Sequence, residues 1–515
     1  MSDGDESMSL DQVHIVDDDS DEDDFEPSFI IGQLTIEQAF NDRLLQECFR
    51  RAIDDSENES ECWRSDNKNR TMIQLVNRRW SLVTKSMCKH LALSRHNMNR
   101  YVNLFPTVFN EVTTLEVVST GDTSLSSSND IATTVATMLR ALTKQTSLSC
   151  LDLSMNELSF DNVDTIMGAI KDNNIVLSKK LTKLNLQSNP LGNDGISALC
   201  SIFRAPYTSC ITELNLQSCD AVDGLELIGE IISKCPTLTT LDWSYNRSDY
   251  TSMMALSNGL RATNNIRTLY LKGCDVEGWG ALSIGDTLKL NQSLTHIDLS
   301  DNFFGDRGIN NISTPLVENH SLTHLDVSGN SISVDGFNSI FKSLELNPPL
   351  RYLDLSRNSI DSLNLNNLTE AFSKNTTLET LVMSECGLQN HHLDLISMGL
   401  KKSRSLTHLD ISKNHISIVH PVLAILTSNR SLLHLNLSRC HFDYNSVYIM
   451  LHFLCRVPFQ LLDQAQGQVT HQVNNVVHGL KYVNLTSRSS YSSANYTNLN
   501  RIIKQSQSPM LRVKL

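Results

Sequence analysis

One short segment recurs so often in this chain that it restricts the folds open to it. Leu294-Thr-His-Ile297-Asp-Leu299-Ser-Asp-Asn302 returns as Leu322-Thr-His-Leu325-Asp-Val327-Ser-Gly-Asn330, as Leu350-Arg-Tyr-Leu353-Asp-Leu355-Ser-Arg-Asn358 and as Leu406-Thr-His-Leu409-Asp-Ile411-Ser-Lys-Asn414. From Ile266 to Leu406 the copies start at residues 266, 294, 322, 350, 378 and 406, a constant step of 28. Others start at Leu148, Leu181, Ile211, Leu238 and Leu432, which makes eleven clear copies, with weaker ones at Val112 and Leu480. A chain of 515 residues is too long for one compact core. Stacked repeats escape that limit, because each buries its apolar face only against its neighbours.

Each copy reads in two halves. The Leu-x-Leu centre has period two, so it predicts a short strand with both apolar side chains turned inward. The ninth position is always Asn or Cys: Asn156, Asn189, Cys219, Asn246, Cys274, Asn302, Asn330, Asn358, Cys386, Asn414 and Cys440. A buried polar side chain there can satisfy the backbone of the loop that leaves the strand. Four of the twelve cysteines thereby receive a structural role rather than a metal or redox one. The second half has helical spacing: Ile309, Ile312 and Leu316 are matched by Phe337, Ile340 and Leu344. Asn291, Asn319, Asn347 and Asn375 share one phase near the helix end, and three of them also form Asn-x-Ser/Thr sequons. They read as helix caps in the left-handed conformation rather than as glycan sites.

This pattern resembles the leucine-rich-repeat family, and its 28-residue step resembles the ribonuclease-inhibitor-like class, over roughly residues 109–490. The resemblance implies an α/β solenoid: a horseshoe with a parallel sheet on the concave face and helices on the convex face. It also implies that the concave face holds a partner protein. The third, fifth, seventh and eighth positions should face that side. At the third stand His296, His324, Tyr352, His408 and His434. The fifth is Asp or Asn except at Tyr270 and Val382. Tyr245 and Tyr270 depart most from the consensus, and exposed aromatics are favoured as interface anchors. Arg357, Lys413 and Arg439 add cations beside the aspartate column. That column is an open ladder, not a converging donor set, so no metal is expected there, and no cofactor.

Residues 35–108 lack the repeat and have helical patterning. Leu44, Leu45, Cys48 and Phe49 share one helical face, and Met72, Leu75, Val76, Trp80 and Val83 share another. Leu75-Val-Asn-Arg-Arg-Trp80 is similar to the Leu-Val-Cys-Lys/Arg-Arg-Trp helix of the F-box family. That resemblance implies a substrate-recruiting adaptor of a cullin-type (SCF) ubiquitin ligase. Leu44, Leu45, Phe49, Leu75, Val76, Trp80 and Val83 would then dock on the ligase's adaptor subunit. The same segment also reads as a helical cap over the first repeat, which a solenoid needs.

The charge is uneven. The first 26 residues carry twelve acidic residues and no Lys or Arg, so residues 1–34 are expected to form a disordered acidic tail. Ser20, followed by Asp21-Glu22-Asp23, has the form of an acidophilic phosphorylation site. Beyond Asp463 every charged side chain is basic, and residues 456–515 read as degenerate repeats and a cap after the repeats of 109–455. The net charge of −14 argues against nucleic acid as the main partner. The absence of a secretory signal or of a long apolar run predicts a cytoplasmic or nuclear protein that does not enter a membrane. No P-loop, GxGxxG, HExxH or GxSxG stands in a suitable context, so no enzyme is expected. The rival readings are a GTPase activator similar to Ran-GAP and a cytoskeletal or signalling scaffold.

Overall fold

The structure is a computed structural model that describes residues 90–94, 112–118, 128–142, 147–173, 180–204, 210–360, 364–456, 459–463, 467–471, 480–486, 493–506 and 511–515. Ser20 and the F-box-like segment, including Leu44, Leu45, Phe49, Leu75, Val76, Trp80 and Val83, lie outside the described residues. Thirteen α-helices and one open sheet of fifteen parallel strands make up the fold among the described residues, an α/β solenoid. The strands pair in chain order, each with the copy before and the copy after it.

The register follows the repeat. His296, Ile297 and Asp298 pair with His324, Leu325 and Asp326, and those with Tyr352, Leu353 and Asp354. A step of 28 residues thus becomes a step of one strand, about 4.8 Å. Like residues are stacked into columns. The first, fourth and sixth positions point inward and are fully enclosed, as at Leu294, Ile297 and Leu299. Each buried Leu contributes roughly 1.5–3 kcal/mol. Trp243 fills a sixth position and is also buried; its ring lies where a Cβ on Gly224 would strike it, so glycine there makes room for the indole. On the other side the helical stripes pack as the spacing predicts, with Ile309, Ile312, Leu316, Phe337, Ile340 and Leu344 all buried.

Two ladders of buried side chains tie the repeats together. In the first, the ninth-position amide reaches back across the sheet. Asn302 Nδ2 donates to the carbonyls of Leu271 in the preceding repeat and Leu299 in its own, both at 2.9 Å. Its Oδ1 accepts from the backbone N–H groups of Cys274 and Val276, both at 2.9 Å. Asn358 and Asn414 repeat the arrangement. Where the position is Cys, the thiol donates to the same preceding carbonyl, from Cys219 to Leu186 at 3.3 Å and from Cys386 to Leu355 at 3.2 Å. Burial pushes the Cys219, Cys274 and Cys386 thiols up to about 12, so they remain protonated donors.

The second ladder corrects an expectation. Asn291 and Asn375 do not take the left-handed cap conformation; their φ angles are −81° and −70°. Asn291, Asn319 and Asn375 are buried instead, and their Nδ2 groups donate to the last helical carbonyls of the preceding repeat, at Leu260, Leu288 and Leu344. Their Oδ1 atoms accept from the N–H that opens the next strand, at Leu294, Leu322 and Leu378. Clasping two repeats at once satisfies four backbone groups at Asn291 and Asn319 and three at Asn375, more than a left-handed turn would. Asn347 alone of the four is left-handed, at φ 57°. Asn429 joins the ladder by donating to Leu400. The sequons are therefore enclosed structural residues.

The sheet also extends past the visible repeats. A strand at His90–Ser94 precedes the copy at Thr114–Val118, within the segment whose patterning is helical, and a strand at Arg512–Lys514 follows Tyr482–Asn484. Between the helix Tyr444–Cys455 and the strand Tyr482–Asn484 the chain inserts an antiparallel hairpin, Phe459–Asp463 with Gly467–His471, outside the main sheet.

The first ladder makes a specific prediction. Asn302→Ala strands two backbone donors and three carbonyls in the core and should lower the unfolding free energy by about 3 kcal/mol. Asn302→Cys keeps the donor and loses the acceptor, so hydrogen exchange should accelerate at the Cys274 and Val276 amides while the global midpoint falls less. Unchanged exchange at those amides in both variants would refute the role assigned to the ladder.

Candidate protein-binding face

The exposed face of the sheet is organised in three columns, each with its own backbone reason. The third-position side chains point away from the helices and stack along the sheet. His296 and His324 lie face to face with ring centroids 3.9 Å apart, and Tyr352 continues the stack at 5.8 Å. A second stack joins His408 to His434 at 4.1 Å and then to Tyr482 at 6.0 Å. The preceding threonine holds each leading ring: Thr295 Oγ1 lies 2.8 Å from His296 Nδ1, and Thr323 and Thr407 do the same for His324 and His408. Burial against the stack lowers the pKa of His296 and His324, and the second imidazole lowers that of His296 further. Both shifts favour the neutral, stacking form of these two rings.

The fifth column has a structural role that its polar identity does not reveal. Asp298 Oδ1 accepts from the backbone N–H of Ser300 at 2.8 Å, and Asp326, Asp354 and Asp410 do so from Ser328, Ser356 and Ser412. Asn185, Asn215 and Asn436 make the same bond in their repeats. This two-residue turn carries the chain off the strand, a task that either Asp or Asn performs. Tyr270 and Val382 cannot perform it, and Tyr270 is 39% exposed on the face instead. Register places Asp326 between Asp298 and Asp354. Burial, then repulsion from Asp354 and Asp298, pushes its pKa up to about 7. The serine at the seventh position, expected on the open face, is enclosed at Ser300, Ser328, Ser356 and Ser412, because the neighbouring turns cover so short a side chain.

The eighth position is left-handed in all eleven clear copies, with φ between 54° and 65°. Only a turn of that kind lets the ninth side chain point inward while the strand ends. It costs a non-glycine residue roughly 1–2 kcal/mol. The eighth side chain is thrown outward as a result. Tyr245 is 47% exposed here, and Arg357, Lys413 and Arg439 are exposed in later copies.

These outward residues are tied together in a way that the repeat consensus conceals. Tyr245 lies across Gly273, where a Cβ would sit 2.7 Å from its ring, and Lys272 Nζ stands 5.9 Å from the ring centroid. Lys272 also reaches Asp301 at 3.4 Å. Arg357 pairs with Asp301 two repeats away, passing over Gly329, whose missing side chain leaves the space. It donates to Ser328 Oγ at 3.1 Å on the way. Beside the aspartate column, where Asp326 and Asp354 also attract it, Arg357 is held directly by Asp301, and Lys413 is held by Glu385 at 3.2 Å. Lys272, Gly273, Asp301 and Gly329 were absent from the sequence reading. Their signal was a glycine in the eighth position beside a bulky residue in the neighbouring copy.

Tyr245, Tyr270, His296, His324, Tyr352 and Arg357 thus share one stretch of the sheet, spanning the copies from Leu238 to Leu350, while His408, Lys413 and Arg439 form a second group beyond it. The arrangement has no grouping of three or more His, Cys, Asp or Glu able to hold a metal among the described residues. No helix among them is long and apolar enough to cross a membrane. What the face offers is area: stacked rings, exposed tyrosines and a pinned guanidinium on a rigid sheet.

A structure of this kind defines a repeat solenoid with an exposed face suited to protein recognition. A family described as "Leucine Rich repeat" matches residues 177–200, 290–313, 318–340, 346–363, 402–417 and 428–447. These segments carry leucine-rich repeats. It is similar to NACHT, LRR and PYD domains-containing protein 2 of Homo sapiens, 31% identical over 195 residues, which cover 33% of this chain and 18% of that protein. It is also similar to NACHT, LRR and PYD domains-containing protein 14 of Mus musculus, 29% identical over 164 residues, covering 32% of this chain and 16% of the relative. The match thus spans less than a fifth of these relatives' length. Among solved structures, an internalin from Listeria monocytogenes aligns over 65% of this chain and 82% of its own, at 15% identity and a TM-score of 0.35.

The aspartate column yields a prediction with a defined sign. Asp326 is protonated more readily in the folded chain than in the unfolded one. Its stabilising contribution is full below the unfolded value near 3.8 and is lost as pH rises through about 7. Asp326→Asn keeps the turn bond to Ser328 and removes that loss. Its denaturation midpoint should exceed that of the parent at pH 8 and match it near pH 4. A variant equally destabilised at both pH values would exclude the crowded carboxylate.

Proposed function

We propose that this protein is a binding adaptor that holds a partner protein on the sheet face between Tyr245 and Arg357. The observation that carries this reading is the coincidence of three departures in neighbouring copies: Tyr245, Tyr270 and the Lys272–Asp301–Arg357 relay. A polar sheet face needs none of them for stability. Large, stiff side chains on a pre-organised surface lose little entropy on binding, and such residues dominate interface energetics. The leucine-rich-repeat family, with the 28-residue step of its ribonuclease-inhibitor-like class, supports the same reading.

The finer proposal is that the partner is a substrate brought to a cullin-type ubiquitin ligase. It rests on the F-box-like sequence around Leu75-Val-Asn-Arg-Arg-Trp80 alone. A purified complex between the full chain and the ligase's adaptor subunit, lost on Trp80→Ala, supports it; no complex with either form overturns it. If the same chain speeds GTP hydrolysis by a small GTPase, the activator reading replaces it.

The binding face is tested separately from the ligase. Partners recovered with the full chain from cells should be compared with those of a Tyr245→Ala/Tyr270→Ala double variant. A specific partner should fall by about tenfold or more, as expected when two anchors of 1 kcal/mol or more each are removed. An unchanged set of partners would place recognition elsewhere on the molecule.

A further inference from the structure

Away from the sheet face, the turns that lead from strand to helix carry a second group of exposed rings. The tenth position of each copy begins that turn, and most copies place a polar or small residue there, among them Asp275, Ser331, Ser359 and Gly387. Phe303 stands there in one copy and is 64% exposed. Its backbone N–H bonds to the Val276 carbonyl of the preceding turn at 3.0 Å, so the ring is presented from a fixed backbone. Trp279 and Arg307 occupy one repeat position in adjacent copies, 28 residues apart. Both lie in the first turn of their helices, Gly278–Leu290 and Gly305–Leu316. Trp279 is 51% exposed. Tyr250 meets it edge-on at 6.5 Å, and Met254 is exposed one helical turn beyond Tyr250.

Arg307 gives the patch a charge preference. Its guanidinium lies over the indole of Trp279, 3.9 Å from the ring centroid. Nearby cations are paired with carboxylates: Arg247 with Asp275 at 2.9 Å and Lys289 with Asp286 at 2.9 Å. Arg307 forms no ion pair among the described residues, in a chain whose net charge is −14. A guanidinium stacked on a ring keeps its N–H edge open, and that edge matches a carboxylate in a two-point fashion.

We infer that Tyr250, Met254, Trp279, Phe303 and Arg307 form a second docking site, separate from the sheet face, for a protein segment that carries an Asp or Glu next to an apolar side chain. The carboxylate pairs with Arg307, and the apolar side chain lies between Trp279 and Phe303. Arg307 is already held by stacking, so little of its side-chain freedom is lost on pairing. A basic segment is excluded by the same guanidinium.

The probe is a phage-displayed library of random short peptides selected on the full-length chain. The expected outcome is enrichment of peptides in which Asp or Glu adjoins Phe, Leu, Ile, Met or Trp. Their binding should weaken by about tenfold on Trp279→Ala and stay unchanged in the Tyr245→Ala/Tyr270→Ala variant. Selection on Arg307→Glu should instead enrich Lys or Arg beside the apolar residue, a switch that misfolding cannot imitate. The inference is overturned if no peptide is enriched, if the enriched peptides are indifferent to Trp279 and Arg307, or if they show no preference for an acidic residue. It is likewise overturned if sedimentation shows the parent chain self-associating and the Trp279→Ala variant monomeric, since the patch would then be a contact between copies.

Discussion

The buried ninth-position side chain is the interaction on which the rest of this structure depends. A parallel strand of three residues cannot hold its place in a sheet alone, and the loop that leaves it exposes backbone groups to the core. Asn302, Asn358 and Asn414 close those groups by bonding to the preceding repeat and to their own turn at once. Turning that side chain inward forces the residue before it into a left-handed backbone. Hence the eighth residue must project outward. The interior ladder and the exposed column are two consequences of one turn.

That coupling explains why the exposed face can vary while the scaffold does not. The eighth position accepts Met155, Tyr245, Asp301, Arg357 and Lys413 alike, since only its backbone angle is constrained. Glycine at 273 and 329 relieves the local strain and also removes a side chain from the column. Tyr245 and Arg357 lie in the spaces so created. The fifth column behaves in the opposite way: its Asp and Asn side chains are held to the turn, and the carboxylates among them accept crowding at Asp326. A polar residue on an exposed sheet is therefore poor evidence of a contact, and an aromatic that abandons the turn bond, as Tyr270 does, is better evidence.

Much of this was legible in the sequence wherever the determinant was local or strictly periodic. The inward leucines, the Asn/Cys ladder and the helical stripes follow from spacing, and the third-position histidines were identifiable before their stacking was known. The relay from Lys272 to Arg357 was not legible, because it spans 85 residues of chain from 272 to 357 and depends on an absent side chain at Gly329. Of the helix-end asparagines only Asn347 takes the left-handed geometry; Asn291, Asn319 and Asn375 instead reach carbonyls of the preceding repeat, which local capping rules do not consider. The pairing of Trp279 with Arg307 was not legible, because it joins the helix starts of two neighbouring copies and nothing in the strand columns marks it. The F-box-like segment and Ser20 fall outside the described residues, so the ligase reading still stands on sequence.

The central claim is that the sheet face around Tyr245 and Tyr270 receives the protein partner proposed above. A photo-crosslinking amino acid placed at Tyr270 of the full-length chain in cells tests it directly, with the same residue at Leu290, which is 65% exposed at a helix end, as the comparison. The predicted result is a discrete covalent adduct from position 270 and none from position 290. Adducts of the same partner from position 290, with none from position 270, would contradict the claim.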